Sequence, residues 1–498
     1  MKSLSGRGVA RRRFESCRAV FLCVLGVIAA ITVSGCSTTG DSAPNANPAL
    51  SIESPVPPPT APSAEDSAGK GGTLTVDRAI QEALSVSPEL DQAKSRVAAA
   101  GEQVRQAEAM FYPRIVLSQE YNTTDNPVYA LMYIINQRRF QPTIAFNDPG
   151  RQHDVVSSAQ GEWALFEGGS RRFDRSAALN QRRAQQEEVF AMRNQLVARV
   201  TETYYQWLQS LVFIDVAEKM LEAAQLDQTL GEARYKVEMA LPSEVLRLKA
   251  RTAEVRGSLV TAKSSARRFQ AALERLIARP ITHGEIPRPE LSPDEPPLSA
   301  AAEDADALVA QALNRRPEMA AIRSMVLAAG DRVKSARGGL LPKLSTSARY
   351  QWDSEEIVDG EGSWMFGIQA AWPIFEGGMT WSRIAEARSR LQEVQAKGRQ
   401  IALDIALEVQ QAALAVQEAE EKIKVADERR AWAEKALREV RIIFEKQIAG
   451  VDSLLQAEVS WNQAEVAYTA AVFEGRIAHA LLRKSLGDFA QWLEAKHE

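Results

Sequence analysis

Cysteine is nearly missing from this chain of 498 residues: Cys17, Cys23 and Cys36 are the only three, and all lie close to the start. The body therefore has neither a disulfide framework nor a thiolate metal site. Histidine is as scarce, with His153, His283, His479 and His497 scattered along the sequence. No zinc-binding His-Glu-x-x-His, nucleophile-elbow Gly-x-Ser-x-Gly or phosphate loop stands out, which argues against a hydrolase. A basic surplus is missing too: 60 Lys and Arg stand against 64 Asp and Glu, a net charge of -4, so nothing points to nucleic acid. Aromatic residues make up only 7%, while Ala, Gln, Glu, Arg and Leu abound, a composition that suits long helices. The expectation is a protein that is not an enzyme and has no catalytic, cofactor or metal site.

What is present begins with a targeting segment. Arg7, Arg11, Arg12, Arg13 and Arg18 give a basic start, and an apolar run from Ala19 to Ala30 follows. That run is too short for a membrane-spanning helix, and positive charge ahead of it is the pattern of a secretory signal. Val33-Ser34-Gly35-Cys36 resembles the lipobox of bacterial lipoproteins, whose cysteine thiol is acylated after cleavage, although that pattern prefers Leu where Val33 stands. A plain signal peptide with an incidental cysteine is the alternative. Arg11-Arg12-Arg13-Phe14 has a faint likeness to a twin-arginine signal. Ser37 stands where inner-membrane retention favours aspartate. Cleavage before Cys36 leaves 498 − 35 = 463 residues. They begin with a Pro-, Ser-, Ala- and Thr-rich stretch to about Gly72, which reads as a flexible tether.

The body is a tandem duplication. Trp163-Ala164-Leu165-Phe166-Glu167-Gly168-Gly169 returns as Trp372-Pro373-Ile374-Phe375-Glu376-Gly377-Gly378, an offset of 375 − 166 = 209. Upstream, Pro88-Glu89-Leu90 and Pro113 match Pro317-Glu318-Met319 and Pro342 at 317 − 88 = 229. The first copy therefore holds 229 − 209 = 20 extra residues between Pro113 and Trp163. The expected organisation is a signal peptide over 1–35 and an acylated tether over 36–72, then two repeats over 73–278 and 303–487. A Pro-rich linker over 279–302 joins the repeats, and a tail over 488–498 follows. Each repeat reads helix, hairpin, very long helix, turn, helix.

In the hairpins, about 114–166 and 343–373, the period is two. Leu344, Thr346, Ala348, Tyr350 and Trp352 alternate with Ser345, Ser347, Arg349 and Gln351; Trp364, Phe366, Ile368, Ala370 and Trp372 alternate with Met365, Gly367, Gln369 and Ala371. The first copy is weaker: Ile115, Leu117 and Tyr121, then Ala159, Gly161, Trp163 and Leu165. Segments of about ten residues cross a bilayer as tilted strands. Alternation alone fits a half-buried soluble sheet equally well.

Beyond each Gly-Gly pair, Ser170 to about Tyr235 and Thr380 to about Phe444 contain no proline. At about 1.5 Å per residue, each forms a helix roughly 100 Å long. Val197, Val200, Tyr204, Trp207, Leu211 and Ile214 in one copy, and Ile405, Val409, Ala412, Val416, Ala419, Ile423 and Ala426 in the other, follow coiled-coil spacing. A simple coiled-coil rod explains these heptads but not the strands. Two hairpins supply only four strands, and an open sheet in lipid leaves backbone groups unsatisfied. Eight strands give a barrel filled by its own side chains. A conducting pore therefore needs at least three chains.

These residues resemble the bacterial outer-membrane efflux proteins, the TolC-like outer-membrane factors. The resemblance covers about Leu74 to Gly487. It rests on the duplication, on Pro113 and Pro342 at the first strand of each hairpin, and on the two Phe-Glu-Gly-Gly runs. Their glycines, Gly168, Gly169, Gly377 and Gly378, make the strand-to-helix turns. The segment from Asn126-Pro127-Val128-Tyr129 to Asn147-Asp148-Pro149-Gly150 looks like an extracellular loop. The family implies a mainly helical homotrimer: an internally duplicated α-barrel of long helices in the periplasm, beneath a 12-stranded outer-membrane β-barrel to which each protomer gives four strands. Such a protein is the passive exit duct of a tripartite efflux system, docked to a periplasmic adaptor (a membrane fusion protein) and an inner-membrane transporter. The outlet of a type I protein secretion system is the alternative, with a structural coiled-coil envelope lipoprotein behind it. The lipobox at Cys36 suits the acylated efflux branch and implies a lipid anchor as the only bound group.

At the periplasmic turns the sequence departs from the family. The usual aromatic and glycine three residues apart become Tyr235 with Glu238, and Phe444 with Gln447. The acidic gate positions fall on Glu244 and Arg247 in copy one and on Ser453 and Gln456 in copy two, with Asp452 one position off. Glu238, Glu244, Arg247, Lys446 and Asp452 are thus candidate tip and gate residues, either in inter-helix ion pairs or as solvated turn charges.

Overall fold

The structure is a computed structural model that describes residues 72–287, 305–356, 360–446, 448 and 450–487. The expected signal peptide, Cys36, nearly all of the tether, Gln447, most of the Pro-rich linker and the C-terminal tail lie outside the described residues.

The first copy opens with α1 (Val76–Val86) and α2 (Pro88–Ala109). The Thr75 hydroxyl accepts from the Arg78 amide, and Ser87 followed by Pro88 starts α2. Both are strong helix-start signals, since the capping oxygen satisfies a free amide and proline has none to lose. Then come β1 (Arg114–Thr124), α3 (Pro127–Asn136), β2 (Gln152–Glu167), α4 (Ser170–Lys236) and α5 (Pro242–Ile277). The second copy runs α6 (Ala305–Arg315), α7 (Pro317–Gly338), β3 (Lys343–Ser354), β4 (Gly360–Ala371), α8 (Met379–Glu445) and α9 (Val451–Leu486). Helix lengths repeat to the residue: 11 and 22 at the front of each copy, then 67 and 36. The offsets also hold, with 305 − 76 = 229 and 379 − 170 = 209. None of the described helices is long and apolar enough to cross a membrane, which says nothing of the strands.

Val197, Val200, Tyr204 and Trp207 form the buried seam of α4, against α1 (Ala79, Ile80, Ala83) and α5 (Leu273, Ile277). Leu211 and Ile214, expected to continue it, are only half-buried; Val212 and Val216 take their place. A straight helix of 3.6 residues per turn drifts away from a 3.5-residue repeat, so the seam moves sideways along so long a rod. In the second copy Ile405, Val409, Val416, Ala419 and Ala426 are buried as expected, with Ala412 and Ile423 half-buried.

The strands form one antiparallel sheet in the order β1-β2-β3-β4, with β1 and β4 as its open edges. The 20 extra residues of copy one lie largely in the β1–β2 connection. Part of it, expected as loop, is the helix α3, which Asn126 caps through its side chain and Pro127 begins.

Candidate functional site

Residues directly opposite each other in an antiparallel pair share a face of the sheet. The register aligns Leu117, Ala159, Tyr350 and Trp364 in one row, and Ile115, Gly161, Ala348 and Phe366 in the next. Trp163, Thr346 and Ile368 follow on the same side. The other side carries Ser118, Ser158, Gln351 and Ser363, then Glu120 and Asp353 with Glu361, then Arg114, Glu162 and Ser347. One face is thus mainly apolar and largely exposed, with Gln119 and Ser157 among its members; the other is mainly polar and charged, with Val116, Val156 and Met365 as its apolar members. Lipid outside and water inside a barrel account for this split. One expected position is corrected: Leu165 does not continue the apolar row. The register shifts between Ala164 and Phe166, so Phe166 stands opposite Leu344. A bulge sets two residues against one and reverses the alternation beyond it.

At the foot of each hairpin the chain turns through paired glycines into a long helix. Gly168 and Gly169 have φ of 64° and 81°, Gly377 and Gly378 59° and 87°, a left-handed region that other residues enter at a cost. A side chain on Gly168 would also strike the backbone of Gly338 at the end of α7, whereas the equivalent space at Gly377 is open. Two tryptophans pin the strand ends: the Trp163 indole donates to the Phe111 carbonyl (2.9 Å) and that of Trp372 to the Leu340 carbonyl (3.0 Å). Half-exposed tryptophan at the end of a lipid-facing strand is the usual membrane-interface anchor.

At the opposite ends of the helix pairs, the structure brings together two of the five candidate tip residues. Arg247 on α5 pairs with Asp452 on α9, joining the two copies. Both are exposed, so the pair is worth about 0–1 kcal/mol. Glu244 instead turns back on its own helix and accepts from the Leu241 amide at 3.0 Å. Glu238 occupies the turn with φ 61°, and Lys446 caps α8 through its backbone. Among the described residues neither forms an ion pair. Pro242 is the first residue of α5 and Val451 the first of α9. Pro242 therefore starts a helix rather than bending one.

A buried polar cluster above the tip is not legible in the sequence. Glu458 (α9) and Asp227 (α4) are buried side by side, with Arg441 of α8 3.3 Å from the first and 3.9 Å from the second. Arg251 of α5 reaches the same place, and a cavity of about 360 Å³ opens beside it, bounded also by Leu437 and Trp461. Burial, reinforced by the neighbouring Asp227, pushes the Glu458 carboxyl up to about 8. The only sequence signal was an acid one seam position along from Leu454. Elsewhere Arg316 spans Glu318 and Glu408, and Lys484 reaches Glu408 at 3.0 Å; these partners hold the Glu408 carboxyl below its ordinary range against the effect of burial. Among the described residues no cluster of three His, Cys, Asp or Glu is placed to hold a metal.

A duplicated frame of long helices carrying a two-faced, four-stranded sheet defines a class: an outer-membrane channel protein. The chain belongs to the outer membrane efflux protein family, which it matches over residues 79–279 and 308–488, once in each copy. Membership makes it an outer-membrane efflux channel, not an enzyme. It is similar to protein CyaE of Bordetella pertussis, 25% identical over 360 residues, 70% of this chain and 68% of that one. It is also 25% identical over 193 residues to the toluene efflux pump outer membrane protein TtgC of Pseudomonas putida, which takes in 37% of this chain and 38% of TtgC. Among solved structures it resembles the outer-membrane channel OprN (TM-score 0.71, 19% identity, 83% of this chain and 89% of that one). The outer membrane protein VceC of Vibrio cholerae is comparable (TM-score 0.69, 20% identity, 83% and 96%).

Proposed function

We propose that the chain is one protomer of a homotrimer that forms the passive exit duct of a tripartite efflux system. A periplasmic adaptor and an inner-membrane transporter would load it from below. The observation that carries this reading is unequal burial at equivalent positions. Leu407, Leu414 and Val425 of α8 are 54%, 63% and 64% exposed, while their counterparts in α4 at 209 residues less, Ala198, Tyr205 and Val216, are 4%, 8% and 7% exposed. The reason is connectivity. α4 packs on α9 of its own chain, but the helix that would cover α8 in the same way can come only from another copy. The open space at Gly377 repeats the pattern at the strand end.

Closure by further copies would also pair the free edges of β1 and β4, which lipid requires. The long helices then continue beneath the barrel in the periplasm, with the Arg247–Asp452 pair near the tip where the duct must open. The lipobox residues up to Cys36 support a lipid anchor on the same side. Leu414→Asp tests the reading. Burying a leucine fully is worth about 1.5–3 kcal/mol, and the substitution also desolvates a charge. Trimer should be lost from outer-membrane extracts while the helical circular dichroism persists; undiminished trimer would contradict the proposal.

A further inference from the structure

Among the described residues, α3 is the one helix that lies against the sheet rather than the helical frame. Its C-terminal end is tied down by polar contacts. The Gln137 side-chain amide donates to the Asp154 carboxylate (3.0 Å) and to the His153 carbonyl (2.8 Å). Arg138 pairs with Glu361 (3.1 Å) and Arg139 with Glu355 (2.6 Å). By the strand register Asp154 and Glu361 both belong to the polar face. The helix therefore sits on the inner surface of the wall, at the loop end of the strands. Ala130, Ile134 and Gln137 are buried against that surface. Val128, Met132 and Ile135 lie on the opposite side of the helix, roughly half a turn away, and are exposed. An apolar ridge standing in a water-filled lumen calls for a partner.

We propose that α3 is an inner collar at the mouth of the duct: in the trimer, the Val128, Met132 and Ile135 ridges of the three copies meet on the axis and close the exit. This rests on the trimeric reading above. The dimensions allow it. Twelve strands about 4.8 Å apart and tilted about 40° enclose a barrel roughly 24 Å across. A helix with its side chains is about 10–12 Å wide, so three inward-lying copies fill that opening. The exposed ion pairs Arg138–Glu361 and Arg139–Glu355 are ties that give way readily, while the buried Gln137–Asp154 bond keeps the end of the helix hinged to the wall. A solute driven from below could then push the helices aside, and the apolar ridges would bring them together again.

Disulfide trapping in whole cells tests the collar, since all three native cysteines lie at or before residue 36. Full-length Met132→Cys should form disulfide-linked pairs on mild oxidation, up to two of every three chains, and lose reactivity toward an impermeant maleimide. Tyr121→Cys, on the outer face, and the parent chain should stay unlinked. Ile135→Cys, on the same ridge, gives the same readout should Met132→Cys fail to assemble. Unlinked, maleimide-reactive cysteines at 132 and 135 in an intact trimer would overturn the collar and leave the trimer standing. A parent chain that forms no trimer would overturn both.

Discussion

Phe366→Arg probes the facing of the sheet, and its cost can be worked from the strand geometry. β4 has 12 residues, Gly360–Ala371. At about 3.4 Å per residue and about 40° of tilt it spans roughly 30 Å along the membrane normal, close to the thickness of the hydrocarbon core. Phe366 sits near its midpoint on the apolar face, beside Ala348. Arginine at that depth on the lipid face costs about 2–4 kcal/mol. Each trimer carries three copies, so the assembled state loses on the order of 6–12 kcal/mol. Ile368→Arg, two residues nearer the end of the strand, should cost less. Gln369→Arg places the same charge on the polar face beside Ser345 and should leave assembly unchanged while altering conductance. The assay is heat-modifiable trimer in outer-membrane fractions, followed by planar-bilayer recording for the variants that assemble. Equal loss of trimer for Phe366→Arg and Gln369→Arg would refute the facing assignment.

Three further outcomes are expected. Cys36→Ala should abolish incorporation of labelled palmitate yet leave some barrel inserted, since the strands supply membrane affinity of their own; undiminished label would remove the lipobox reading. Combined Glu244→Lys and Asp452→Lys should raise single-channel conductance, or weaken cross-linking to the adaptor, at unchanged trimer yield. Most of that effect should come from Asp452, the residue that reaches Arg247, and wild-type behaviour would leave both as solvated charges. For Glu458, the folded chain keeps a proton up to about pH 8 that the unfolded chain releases in the ordinary glutamate range. Stability therefore falls as pH rises through that window and levels off above it. Glu458→Gln does not titrate, so its stability relative to the parent should increase between pH 5 and pH 8, by on the order of a few kcal/mol. Parallel pH profiles of the two melting temperatures would show that the site does not hold this proton.

Features set by local pattern were legible in the sequence. Alternation over 343–371 gives the two faces of β3 and β4 directly, and the proline-free stretches give helices that end within a residue or two of Tyr235 and Phe444. The Gly-Gly turns were readable because only glycine enters the left-handed region freely. Features set by long-range contact were not. Spacing put Arg247 and Asp452 among the tip candidates for an inter-helix ion pair, but which two of the five meet depends on α5 and α9 standing side by side there. The Glu458 cluster needs four helices at once. The bulge beside Leu165 looks like unbroken alternation until its partner strand is in place. α3 is a different case: Asn126-Pro127 is a start signal, but the ten residues from Pro127 to Asn136 are too apolar and too few to separate a helix from a loop of an insertion.

In the proposed assembly two further copies complete the four-stranded sheet and cover the exposed side of α8. Native mass spectrometry of the complex extracted from outer membranes, without cross-linking, tests it most directly. Three chains per particle is the predicted result, with Leu414→Asp giving single chains. A stable particle of one or two chains would contradict the account, because four or eight strands would then have to form a barrel too narrow to conduct.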